Sequence, residues 1–246
     1  VYALYLSNWF DPEAPFLSPT WSLATEEQFY LVWPLVEAFA GPIALLGLWG
    51  GALALNQAIN FGLLDGAILA VAGVGPGEHP EILQTTFTPI LLGVGLAHAL
   101  SSGRTFVAVQ RVAAFRMAGL FWTLLALAAA AWPAADISGL HRVVIHLTMT
   151  ALIAAVALQP KAYATATLEW RPLRLIGEVS YGMYLYHLFC IEAARKAAGL
   201  LAVNSGPVIF LAGAAATLVV AYASYRLLER RFLALRDRFR PAAPPQ

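Results

Sequence analysis

Charge is scarce in this chain. Only 12% of its 246 residues are Asp, Glu, Lys or Arg, about half the roughly 25% of an ordinary globular domain. Hydrophobic residues make up 60% of it, and the mean hydropathy is +0.69. A soluble fold of this size has too much surface to cover with so few charges. That argues against a soluble enzyme, a nucleic-acid binder and a disordered chain. No basic patch interleaves with aromatics, so no nucleic acid is implied. The single Cys190 excludes an intramolecular disulfide and a multi-Cys metal site; in its apolar run it reads as a packed thiol. The five His are scattered without H-x-x-x-H spacing, so no metal site is expected. No basic n-region of a secretory signal opens the chain. Val1 is not an initiator Met, which predicts a fragment of a longer protein.

What is present is apolar sequence in long runs. A spanning helix needs ~20 mostly apolar residues, and the chain has room for about seven. The pattern predicts an all-α, polytopic transmembrane helix bundle. Spans are expected at about 19–40, 42–60, 82–100, 113–132, 141–158, 175–192 and 207–228, with ends good to about 2–4 residues. Ser18 and Pro19 read as N-cap and first helical residue, and Gly41-Pro42 as a tight break. Val1 to Phe10 reads as the tail of a helix, Asp11 to Pro19 as a loop, and 61–81 as a loop or re-entrant segment. Residues 1–246 are expected to form one transmembrane domain, with 233–246 as a cytoplasmic tail.

The first 103 residues hold no Lys or Arg. Basic residues then cluster at Arg104, Arg111 and Arg116, at Lys161, Arg171 and Arg174, and from Arg226 through Arg240. With seven spans these clusters fall on one side. By the positive-inside rule that side is the cytoplasm, which puts the C-terminus there. Arg195 and Lys196 are the exception.

Ionisable groups within spans are costly and are functional candidates by default. In the first span Ser22, Glu26, Tyr30, Trp33 and Glu37 fall within about 80° of one another on a helical wheel, a polar stripe expected to face the bundle. Glu27 lies about 100° from Glu26. The two carboxylates are placed to hold a cation, raise one another's pKa or act as acid and base; alternatively they favour the helix dipole at interface depth. Ser180, Tyr184 and His187 share a face of the sixth span, where His187 reads as a proton carrier or as a hydrogen-bonded core His. Tyr222, Tyr225, Arg226 and Glu229 share a face of the seventh, where Arg226 and Glu229 are spaced to pair. Gly73-Val74-Gly75-Pro76-Gly77 lacks the Lys and strand of a phosphate loop, and Gly93-Val94-Gly95 reads as helix packing.

At these residues the chain resembles the acyltransferase-3 family of membrane proteins, which acylate sugars on polysaccharides, lipid-linked glycans and related acceptors. Trp21-Ser22-Leu23-Ala24-Thr25-Glu26-Glu27-Gln28-Phe29-Tyr30-Leu31-Val32-Trp33-Pro34 is similar to W-S-L-x-x-E-E-Q-F-Y-L-x-x-P. Gly177 to His187 is similar to G-x-x-S-Y-x-x-Y-L-x-H. Tyr225 to Phe232 is similar to Y-x-x-x-E-x-P-F, with Arg231 in place of the Pro, and Leu91-Leu92-Gly93 matches a short L-L-G element. The Arg often found before that element is missing here.

The resemblance implies acyl transfer, with acyl-CoA (acetyl-CoA) as a donor substrate rather than a resident cofactor, and a sugar or glycan hydroxyl as acceptor. It implies catalytic roles for Glu26, Glu27 and His187, and substrate-binding roles for Trp21, Ser22, Tyr30, Ser180, Tyr181, Tyr184, Arg226 and Glu229. It implies an integral protein of the bilayer, expected in a bacterial inner membrane. The family's first helix carries an Arg and a His thought to be catalytic. No such helix is present, so the fragment alone is expected to be inactive, with His187 shaping the cavity or relaying a proton. The competing reading is a proton-coupled transporter or flippase, which intramembrane carboxylates and a His also serve. Inverted repeats would favour it, and none is visible.

Overall fold

The computed structural model describes residues 4–7, 17, 19–72, 86–133, 137–159, 163–203 and 205–238. Every regular element among them is helical. In order they are α1 (Thr20–Phe39), α2 (Pro42–Asn60), α3 (Asp65–Ala72), α4 (Thr88–Ser101), α5 (Gly103–Ala113), α6 (Ala118–Ala130), α7 (Gly139–Leu158), α8 (Tyr163–Leu168), α9 (Arg171–Glu178), α10 (Ser180–Leu200), α11 (Gly206–Ser224), a π-helical turn (Tyr225–Glu229) and α12 (Arg230–Arg238). The chain divides into two compact units, Val1–Leu168 and Glu169–Gln246.

Three helices are long and apolar enough to cross a membrane: Pro42–Asn60, Gly139–Leu158 and the continuous rod Gly206–Leu235. The pair α4 and α5, bent by 114° at its break, makes a fourth if counted as one broken span. The expectation of seven is thus corrected to three or four among the described residues. The reasons are chemical. The helix α1 carries Glu26, Glu27 and Glu37, and α10 carries Glu192, Arg195 and Lys196. The 13 residues of α6 reach only ~20 Å, short of a ~30 Å hydrocarbon core.

Other boundaries also moved. The fourth helix starts at Thr88 instead of 82, and α6 covers only the middle of 113–132. The expected span 175–192 is two helices, α9 and α10, meeting at the fully buried Val179. Asp65–Ala72, within the stretch 61–81 expected as a loop or re-entrant segment, is helical; the remainder of that stretch from 73 on lies outside the described residues, as do 82–85, Ser18, most of Asp11 to Pro19 and 239–246. Of the expected helix tail at 1–10 only Leu4 to Ser7 are described: Leu4 ends a 3-10 turn and Tyr5 follows at φ 52°. Residues 233–238 of the expected tail continue α12.

In the first unit α2, α4 and α7 pack together through specific contacts. The Trp49 indole lies on Gly95: a Cβ there would stand 2.6 Å from its Cζ2. Its Nε1 donates to the Leu91 carbonyl at 2.7 Å. Packing is therefore the role of Gly95 in the Gly-Val-Gly run, whereas Gly93 has open space. At the far end of α2, Asn56 Oδ1 accepts from the Phe87 N–H at 2.8 Å, and Gln57 Nε2 donates to Thr88 Oγ1 at 2.9 Å. The Asn60 amide grips Gly139 twice, donating to its carbonyl at 2.9 Å and accepting from its N–H at 3.0 Å. Gly139 has φ 55°, a left-handed conformation suited to glycine. A core of Ala113, Ala118, Ala154 and Ala155 joins α5, α6 and α7. No α2 residue is buried within the chain, and Ile43, Leu46, Leu48 and Leu55 are exposed, as expected of a helix that faces lipid.

In the second unit α10 and α11 run antiparallel in close contact. Gly182 faces the Ala221 backbone at one end, and Gly213 faces Ile191 at the other. Small residues let helix backbones approach closely, the usual device of packing in membranes. Cys190 is free and buried, the packed thiol its surroundings suggested.

Candidate functional site

The first motif lies on α1, in the first unit. Its packed side is Ala24, Thr25 and Phe29. The Thr25 hydroxyl is satisfied locally, donating to the Trp21 carbonyl at 2.9 Å, so burying it costs little. The polar stripe lies beside this buried side instead of on it: Ser22, Glu26 and Trp33 are half-buried, while Tyr30 and Glu37 are exposed; off the stripe, Trp21 is half-buried and Glu27 exposed. Ser22 Oγ donates to the Pro19 carbonyl at 3.2 Å. Neither Glu26 nor Glu27 makes an ion pair among the described residues. Pro34, inside the helix, has no N–H to give the Tyr30 carbonyl.

One further residue joins the stripe that its sequence did not announce. Trp33, stacked on Phe29 with centroids 5.2 Å apart, donates its Nε1 to Glu37 Oε1 at 2.8 Å. The same oxygen lies 3.1 Å from His98 Nε2 on α4. His98 is the single ionisable side chain of that helix, five residues beyond Leu91-Leu92-Gly93, and that isolation was the available signal.

The second and third motifs meet in the second unit. Some 40 residues separate them in sequence, yet the ideal Cβ position at Gly182 lies 3.3 Å from Ala221 and 3.5 Å from Glu229 Oε1. Just beyond Gly182 on α10, the Tyr186 hydroxyl is 3.2 Å from Ser224 Oγ. The third motif is not regular α-helix. Tyr225–Glu229 is a π turn, a local widening found frequently at functional sites. It also breaks the expected pairing of Arg226 with Glu229. No ion pair joins them among the described residues, because the wider turn sets residues three apart farther round the axis. The Arg226 guanidinium lies instead over the Tyr222 ring, 5.7 Å from its centroid.

His187 has a defined tautomer. Its Nδ1 is 2.7 Å from the Tyr184 carbonyl, and a carbonyl only accepts, so Nδ1 carries the proton. In the neutral ring Nε2 is then the bare nitrogen, able to take a proton. The Tyr184 and His187 rings are 5.8 Å apart. Ser180 Oγ donates to the Gly177 carbonyl at 2.9 Å, and Tyr181 is exposed. So the structure joins Gly182, Ala221 and Glu229, and separately Tyr184 with His187. Glu26 and Glu27 belong to the other unit.

The close approach at Gly182 gives a stability prediction. Gly182→Leu should destabilise the protein by about 1–3 kcal/mol through overpacking, whereas Gly177→Leu, in open space, should change it by less than about 0.5 kcal/mol. Thermal unfolding of both variants in detergent measures the difference. Equal effects would mean that Gly182 is not a packing contact.

The acyltransferase-3 pattern, described as an acyltransferase domain, matches residues 1–226. The peptidoglycan O-acetyltransferase OatA of Listeria monocytogenes is 30% identical over 245 residues, covering 92% of this chain and 38% of the relative. The putative peptidoglycan O-acetyltransferase YrhL of Bacillus subtilis is 29% identical over 210 residues, covering 74% and 31%. The chain thus spans about a third of the length of these relatives. No solved structure matches it. With the family pattern running through the first two motif segments and reaching the start of the third, the chain belongs to the acyltransferase-3 family.

Proposed function

We propose that the protein carrying this chain is a membrane O-acyltransferase that moves an acetyl group from a cytoplasmic acyl-CoA to a sugar hydroxyl of a cell-wall glycan. The glycan acceptor is suggested by the relatives' names. The observation that carries the chemistry is the meeting of the second and third motifs, Gly182 against Glu229 beside a π turn, on the helix where the Tyr184 carbonyl fixes His187. In the transfer the donor's C–S bond breaks and an ester C–O bond forms. The acceptor's hydroxyl proton ends on the leaving thiolate, and His187 Nε2 is a suitable relay for it. Glu26 and Glu27 supply carboxylates for acid–base or charge-stabilising work. Tyr30, Tyr181, Tyr184 and Arg226, with Trp21, Ser22, Ser180 and Glu229, supply polar surface for substrates. The arginines that follow α11, beginning with Arg226, Arg230 and Arg231, favour a cytoplasmic C-terminus by the positive-inside rule.

The test is chemical analysis of the cell wall. Deleting the gene should remove base-labile acetate from the purified glycan, and re-expression should restore it. Unchanged acetate in both strains would overturn the reading of the acceptor.

A further inference from the structure

We propose that α5 is a binding surface for anionic phospholipid headgroups. The apolar α4 contains no charged residue apart from His98. It ends at Ser101, and the chain turns by 114° before continuing as α5. A helix that leaves an apolar segment crosswise fits the plane of the membrane interface. Its two sides differ. Phe106 and Val109 are half-buried and Ala113 is buried, with Val109 and Ala113 in the core that holds Ala118, Ala154 and Ala155. Arg104 and Arg111, seven positions and two turns apart, share the exposed side. Arg116 is exposed in the turn that follows.

These three cations have no counter-charge among the described residues, and no Asp or Glu occurs anywhere from residue 82 to 135. Beside them Val107, Val112 and Phe115 are exposed. Cations alone suit any soluble anion. Cations flanked by exposed aliphatic and aromatic side chains suit a ligand with phosphate at one end and hydrocarbon at the other, which is an anionic phospholipid. The inference goes beyond acyl transfer and does not depend on it.

The test uses the full-length protein in detergent, titrated with phosphatidylglycerol or phosphatidylcholine while the unfolding temperature is followed. Wild type should reach half-maximal stabilisation at a phosphatidylglycerol concentration at least about tenfold lower than for phosphatidylcholine, with the preference shrinking as salt is raised. R104Q/R111Q/R116Q should lose the preference while keeping the phosphatidylcholine response, and R104K/R111K/R116K should retain it. Should the triple Gln variant fail to fold, R111Q alone should lower the preference about three- to fivefold. Equal responses to the two lipids in wild type, or an undiminished preference in the Gln variants, would overturn the proposal. So would inorganic phosphate giving the same stabilisation, which would make the ligand a soluble anion.

Discussion

Replacing His187 by alanine in the full-length protein is expected to lower acyl transfer by about 10²–10⁴-fold, the loss typical of a proton-transfer group, with little change in unfolding temperature. The stability half of that expectation comes from the partner. His187 Nδ1 bonds to the Tyr184 carbonyl, three residues back on its own helix, so the bond ties no two helices together. The activity half comes from the tautomer: with Nδ1 protonated, Nε2 is left to accept a proton. His187→Gln separates a proton relay from a positioning role, because a carboxamide can donate to the carbonyl but cannot take up and release a proton at neutral pH. Steady-state rates of both variants decide it. Gln as poor as Ala means relay; recovery by Gln to within a few-fold means that His187 only shapes the site.

The second large effect is expected at Glu26. Glu26→Gln keeps the size and the hydrogen-bonding capacity of the side chain but removes its charge and its basicity. It should lower transfer by about 10²–10³-fold, and Glu27→Gln by less than about tenfold. The difference follows from position. Glu26 is half-buried on the stripe with Trp33, whereas Glu27 is exposed and roughly 100° away round the helix. Initial rates, normalised to the amount of folded protein in the membrane, measure both. Equal losses would show that the two carboxylates act as one charge centre, and no loss at Glu26 would remove it from the chemistry.

Helices bounded by backbone chemistry were legible in the sequence. Gly41-Pro42 marked the start of α2, and α7 fell within two residues of its expected bounds because Gly139 and its apolar run left little choice. Span number was less legible, since an apolar run at helical period fits a buried helix as well as a membrane-crossing one. The amphipathic pattern of α5, with Arg104 and Arg111 opposite Phe106, Val109 and Ala113, was present in the sequence, but between two expected spans it stood only as a cluster of positive charge. The π turn at Tyr225–Glu229 has no compositional signature; it is a change of hydrogen-bond register, and within it Arg226 lies over Tyr222 while Glu229 lies beside Gly182. In the candidate site, motif residues were legible one by one. Their meeting at Gly182 and Glu229 was not, because a contact across some 40 residues depends on how α10 and α11 cross.

The most direct measurement seals the full-length protein into vesicles with radiolabelled acetyl-CoA on the side of its C-terminus and a cell-wall oligosaccharide on the other. Base-labile label is expected on the oligosaccharide in wild type, falling by about 10²–10⁴-fold in His187→Ala. Label that crosses as free acetate or intact donor, with no ester formed on the glycan, would contradict acyl transfer and assign the chain to transport.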